Sequence, residues 1–185
     1  MPDKQRINID ELVEKAQAGD KEAFGQIYDE LVKPIYRYIY YKVDDSIAED
    51  LTEETFFKAW QNLGKYKKGK NPFSSWIFRI AHNLVVDHYR KNHTTDEIDE
   101  SYVDPKDTGN PAQQTNIELT NIRLRKIIKK LPDNYQQVIV LKYINELENA
   151  EIADTIGKSE AAVRIIQFRA LEKLRSLMGD DSDLR

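Results

Sequence analysis

The chain has 185 residues, no cysteine and a formal net charge of −4. That length suits one medium domain or two small ones at about 100–200 residues each, and without cysteine there is no disulfide framework, thiol nucleophile or thiolate zinc site. No uncharged apolar run approaches the roughly 18 residues of a membrane span, and the opening MPDKQRINIDELVEK lacks the apolar core of a signal peptide, so a cytoplasmic chain without membrane insertion is expected.

Seven glycines, six prolines and no sustained period-2 alternation point to an all-α fold. Asn8 with Glu11 resembles a capping box for a first helix that stops near Gly19. Asp20 caps a second helix reaching about Val43, which Pro34 is expected to kink or break by removing a donor and crowding the preceding turn. Asp45 or Ser46 caps a third helix to about Asn62, LGKYKKGKN (Leu63 to Asn71) is a loop, and Pro72 suits the first turn of a fourth helix to about Lys91. From His93 to about Gln114 the helical repeat fails in an acidic stretch with prolines, which places a domain boundary there. Periodicity resumes with Ile117, Leu124, Ile127, Ile128 and Leu131 and is ended by Pro132; shorter helices are expected near 133–144, 148–156 and 159–177. The reading is therefore two small helical domains, residues 1–92 and 117–178, with a flexible acidic linker at 93–116 and an acidic tail at 179–185.

Charge is segregated along this order. Residues 44–60 carry a net −5, residues 61–92 a net +6, residues 93–121 a net −6 and residues 122–149 a net +3. A mildly acidic total therefore leaves room for a polyanion partner, because local fields decide where one docks; solvated faces without a role would show the same blocks.

The stretch from Asn149 to Leu177 has the build of a helix-turn-helix: a short helix, a turn at Gly157, a Ser159 cap and a long basic helix. On that helix Val163, Ile166, Ala170, Leu174 and Leu177 share one face, while Ile165 and Phe168 fall opposite, flanked by Arg164 and Arg169. In a major groove the arginines reach phosphates or guanine edges and the apolar pair touches thymine methyls; a covering helix is the alternative. The third helix buries Ala48, Thr52, Phe56, Ala59 and Leu63 and turns Asp50, Glu54, Phe57 and Gln61 outward, an acidic strip suited to a basic protein surface or left solvated. The lysine-rich loop with Tyr66 precedes a helix whose Phe73, Ile77, Ile80, Ala81 and Leu84 face the core. Arg79, Asn83 and Arg90 lie outside, and Trp76 and Asp87 at the border. Cations beside aromatics and amides suit single-stranded DNA, although Trp76 fits the core equally well. His82, Asp87, His88 and His93 do not make a metal site, since His82 and His88 lie on different faces. No nucleophile–base constellation, glycine phosphate loop or paired carboxylate site appears, so neither an enzyme nor a cofactor is expected.

AEDLTEETFFKAWQNLGKYK, PFSSWIFRIAHNLVVDHYRK and LPDNYQQVIVLKYINELENAEIADTIGKSEAAVRIIQFRALEKLR together resemble bacterial extracytoplasmic-function (group IV) sigma factors over about residues 20–92 and 117–177. The resemblance implies sigma region 2 and region 4 joined by a linker, acting with core RNA polymerase in promoter recognition and transcription initiation. It implies that Asp50, Glu53, Glu54, Phe57 and Gln61 dock on the β′ clamp helices. It implies that the loop Lys65, Tyr66, Lys67, Lys68, Lys70 and Asn71 captures a flipped base of the melted −10 strand, supported by Trp76, Arg79, Asn83 and Arg90. Ser159, Arg164, Ile165, Phe168, Arg169 and Lys173 would meet the −35 duplex, part of Leu131–Tyr143 the β flap, and an anti-sigma factor is a further implied partner. Many members read roughly Gly-Thr-Val-Lys-Ser-Arg where this chain has Ala161-Ala162-Val163-Arg164-Ile165-Ile166, which alters the −35 sequence expected. Two rivals are a stand-alone helix-turn-helix regulator, which would bind duplex without polymerase, and a sigma mimic that titrates anti-sigma factors, which would tolerate loss of Arg164 and Arg169.

Overall fold

The computed structural model describes residues 8–69, 72–93 and 116–182; the acidic stretch at 94–115, with most of the expected linker, and Lys70 and Asn71 lie outside them. Among the described residues all regular structure is helical: α1 (Ile9–Gln17), α2 (Lys21–Tyr40), α3 (Asp45–Asn62), α4 (Phe73–His93), α5 (Asn116–Lys129), α6 (Asp133–Ile139), α7 (Asn149–Ile156) and α8 (Glu160–Ser182). A 3-10 turn, Leu63–Lys65, follows α3, and a π turn, Val140–Ile144, follows α6.

α1 to α4 form the first unit, with α2, α3 and α4 packed on one another and α1 against α2. Ala23, Ile27, Leu31, Ile35, Tyr38 and Ile39 recur at helical spacing on α2 and are buried, as are Phe73, Ile77, Phe78, Ala81, Leu84 and Val85 on α4. Each large apolar side chain so buried is worth about 1.5–3 kcal/mol. α2 continues through Pro34 without the break that was one of the two expected outcomes. Leu31 and Ile35 on either side of the proline are buried, so both halves of the helix are anchored in the core. Asp20 caps α2 by accepting from the Glu22 and Ala23 amides at 3.0 and 3.2 Å. The expected caps at the starts of α1 and α3 are different: Asn8 occupies the cap position without a capping side-chain bond, and α3 starts after Asp44, whose side chain does not cap it either.

The second unit packs α5, α6 and α7 around α8. Ile128, Val138, Ile139, Leu141, Ile152, Val163 and Ala170 fill its centre. Glu148 and Glu151 make a capping box at the head of α7, and Gly157 leaves that helix at φ 66°, a left-handed turn that a side chain would strain. Ser159 Oγ then accepts the Ala162 amide at 3.2 Å and starts α8. α8 continues to Ser182, into the stretch read as tail. The two units are also packed on each other, α7 lying along α4 and the π turn against α2, so that their apolar interiors form one continuous cluster.

Candidate functional site

Three surfaces collect the residues singled out from the sequence. On α3, Ala48, Thr52, Phe56 and Ala59 are buried, with Leu63 just beyond, and the opposite side is bare: Asp50, Glu53, Glu54 and Gln61 are exposed and Phe57 keeps 61% of its surface in solvent. Glu54 pairs with Lys58 one turn on, at 3.0 Å. Trp60, one turn past Phe57, is also exposed and rests edge-on against Phe24 of α2. Its aromatic spacing to Phe57 (i, i+3) was the available signal for extending this patch.

The loop after α3 and the outer side of α4 form the second surface. Lys65, Lys67 and Lys68 are exposed. Lys65 Nζ donates to Asn62 at 2.9 Å, and Lys68 reaches Asp10 at 3.0 Å, which holds its ammonium pKa above the ordinary range. Tyr66 is half-buried, its ring set against the start of α4. Its ring meets Phe73 at 4.9 Å and Trp76 at 5.4 Å, its hydroxyl is buried without a partner, and burial pushes its pKa up. Gln17 of α1 pins this turn from behind, donating to the carbonyls of Leu63 and Tyr66 at 2.8 Å each. Trp76 is half-buried in the same aromatic group, Asn83 is exposed, and Arg90 lies 4.0 Å from Asp87.

Arg79 stays exposed, and its guanidinium donates to the backbone carbonyl and the carboxylate of Asp154 on α7. Helical spacing places Arg79 outside the first unit's core correctly, yet says nothing about a second unit lying over that side. His82, near the same border, accepts from Gln137 Nε2 at 2.6 Å and lies 3.2 Å from the Tyr38 hydroxyl. Burial, with the cation of Lys42 nearby, lowers its pKa to about 4, so the ring is neutral at pH 7. Among the described residues no group of His, Asp and Glu is arranged to hold a metal.

The third surface is the outer side of α8. Val163 and Ala170 are fully buried while Ile165 and Phe168 are 54% and 64% exposed, with Ser159, Arg164, Arg169 and Lys173 around them. Arg164 pairs with Glu160 at 3.3 Å, a solvated contact that a phosphate can displace. The face is exposed, and its charges lie beside two apolar side chains. No helix among the described residues is long and apolar enough to cross a membrane.

Comparison with known proteins follows the same division. Residues 27–95 match the family model of Sigma-70 region 2, and residues 121–174 that of Sigma-70, region 4. The ECF RNA polymerase sigma factor BldN of Streptomyces coelicolor is 35% identical over 97% of this chain and 69% of its own length. The ECF RNA polymerase sigma factor SigW of Bacillus subtilis is 31% identical over 93% of this chain and 97% of its own. Among solved structures, CnrH in complex with the cytosolic domain of CnrY superposes with a TM-score of 0.72 at 26% identity, covering 92% of this chain and 96% of that one.

Proposed function

The chain belongs to the extracytoplasmic-function sigma factors of RNA polymerase, the subunits that direct polymerase to promoters, and from that premise we propose how its surfaces divide the work. The α3 strip of Asp50, Glu53, Glu54, Phe57 and Gln61 docks on the polymerase clamp. The Lys65–Asn71 loop with Trp76, Asn83, Arg90 and a released Arg79 holds the melted −10 strand. α8 reads the −35 duplex through Arg164, Ile165, Phe168 and Arg169, with Ser159 and Lys173 at its flanks. The observation that carries this reading is the contrast between two bare helix faces, acidic with one phenylalanine on α3 and basic with two apolar side chains on α8.

The mechanism is binding, without covalent chemistry. A base captured outside the stack has contacts that it lacks while paired, so capture shifts the duplex towards its open form. Anchoring at −35 by one unit raises the effective concentration of the other at −10. Such a protein works where polymerase is, in the cytoplasm. CnrH, 26% identical, was solved with the cytosolic domain of CnrY, and we extend from it that an inhibitory protein of the anti-sigma kind also binds this chain.

The test is binding to purified core polymerase by the chain and by its Asp50→Lys/Glu54→Lys variant. Affinity should fall about tenfold to a hundredfold, with the far-ultraviolet spectrum unchanged, because charge reversal at a complementary interface converts attraction to repulsion. Undiminished affinity would remove the α3 strip from the polymerase interface.

A further inference from the structure

Ile165 and Phe168 are 54% and 64% exposed, the most exposed large apolar side chains of the second unit among the described residues. Three residues apart on α8, they stand one above the other on the same side of the helix, about 4.5 Å apart along its axis. The helix beneath them is held firmly. Val163 and Ala170, turned away from the pair, are fully buried, and Ser159 Oγ accepts the Ala162 amide at the helix start. Gln167 Nε2 donates to Asn149 Oδ1 of α7 at 2.7 Å, which ties α8 to its neighbour next to Phe168. Ile165 is branched at Cβ and keeps largely to one χ1 rotamer in a helix, so its tip is presented at a fixed place. Arg164 and Arg169 are exposed beside the pair, and Arg164 is paired with Glu160 at 3.3 Å.

We propose that Ile165 and Phe168 are the specificity-determining pair of α8 and that they read the 5-methyl groups of pyrimidines on two neighbouring base pairs. The proposal rests on the reading of α8 as the −35 helix given above and names the chemistry that this helix selects. Neither side chain carries a donor or an acceptor, and the apolar group that a base pair presents in the major groove is the methyl of thymine. Set against the polar edge of guanine, adenine or cytosine, the pair strips water from donors and acceptors and returns no hydrogen bond. Selection is therefore by attraction to a methyl and by exclusion of an unpartnered polar edge. The separation of the two side chains, about 4.5 Å along the helix, is close to the step of about 3.4 Å between base pairs, so a helix lying along the groove sets them on adjacent pairs. Arg164 and Arg169 hold phosphates or guanine edges to either side and contribute mainly affinity and register. Phe57 on α3, equally exposed but set among carboxylates, is unsuited to this task because phosphates repel its neighbours. A methyl on C5 of cytosine projects into the groove at the same place as that of thymine. The pair therefore accepts 5-methylcytosine too, and cytosine methylation within the site strengthens binding.

The experiment uses the full chain bound to purified core polymerase. This complex selects a binding sequence from a pool of random-sequence duplexes, and the selected duplex is remade with one thymine at a time replaced by deoxyuridine, which differs by the methyl alone. Affinity should fall about fourfold at each of two adjacent base pairs, as for one methyl taken out of contact. Ile165→Ser/Phe168→Ser should bind the thymine and uracil forms alike at those pairs, whereas Ile165→Val, which keeps a branched apolar tip, should keep the preference. Both residues are exposed, so the far-ultraviolet spectrum and core-polymerase affinity should stay unchanged in each variant. Cytosine put in place of either thymine should bind weakly, and 5-methylcytosine there should recover about fourfold. Uracil tolerated at every position in the unaltered protein overturns the proposal, and so do uracil losses that persist in the double serine variant. Arg164→Ala/Arg169→Ala separates this failure from that of the underlying reading. If it weakens binding to the selected duplex while uracil is tolerated throughout, α8 stands as the −35 helix and the methyl readout alone falls. If it leaves affinity unchanged and the serine variant does too, α8 does not meet the duplex and both readings fall.

Discussion

The outer faces of α3 and α4 look alike as patterns, each a polar strip opposite a stripe of buried residues, but they have different surroundings. That of α3 is bare from Asp50 to Gln61, while that of α4 is open at Asn83 and bonded to α7 at Arg79, which stays exposed. Periodicity identifies the side of a helix that faces away from its own core. Whether a second unit covers that side depends on contacts made at sequence separations of 75 residues and more, as between Arg79 and Asp154. The outer faces of α3 and α4 therefore differ in their tertiary contacts as well as in the sign of their charge.

The largest way to break the comparison is to remove what both faces stand on. Phe73 is fully buried at the start of α4 against Tyr66 and Trp76, so Phe73→Ala should cost about 3–5 kcal/mol of stability and lose both faces together, as measured by denaturant unfolding and core-polymerase binding. A loss confined to one face would show that the helices are independently supported.

A smaller effect separates the covered border from the bare strip. His82 is held neutral with a pKa near 4, below the ordinary 6.5, among Tyr38, Gln137 and Lys42, with Asp133 and Tyr89 beyond Lys42. Between those values the unfolded chain binds the extra proton, so this site's stability contribution, complete above about pH 6.5, declines as pH falls towards 4. Stability measured from pH 7 to pH 5 should therefore fall with a slope approaching one proton, about 1.4 kcal/mol per unit at most. His82→Gln should flatten that slope, whereas Asp50→Lys on the bare strip should leave it unchanged. The smallest effect concerns α8, which is as bare as α3 but basic. Arg169→Ala should reduce the salt slope of −35 duplex binding by about one, read from affinities at several salt concentrations. An unchanged slope would assign Arg169 to the surface alone.

Much of this arrangement was legible from residue patterns. Gly157 and Ser159 mark the turn into α8, Asp20 marks the start of α2, and the spacing of Val163, Ile166 and Ala170 against Ile165 and Phe168 orients the long helix correctly. The neighbours of Tyr66 were not legible, because Phe73 and Trp76 come from the next helix turned back on it. Pro34 does not break α2, because a local penalty of about 3 kcal/mol is smaller than the burial of Leu31, Ile35, Tyr38 and Ile39 around it. The inter-unit contacts left one trace, the opposite charge of residues 44–60 and 122–149, which pairs Asp44 and Asp45 with Lys129 and Arg125. Nothing in that trace distinguishes a self-contact from two solvated faces.

The most direct measurement is run-off transcription by purified core polymerase on sheared DNA of the source genome, with and without this protein, and with the Asp50→Lys/Glu54→Lys variant. The account predicts discrete transcripts that appear only with the protein, start at sites sharing spaced −35 and −10 sequences, and are lost with the variant. Transcription unchanged by the protein, or equal activity from the variant, would contradict it.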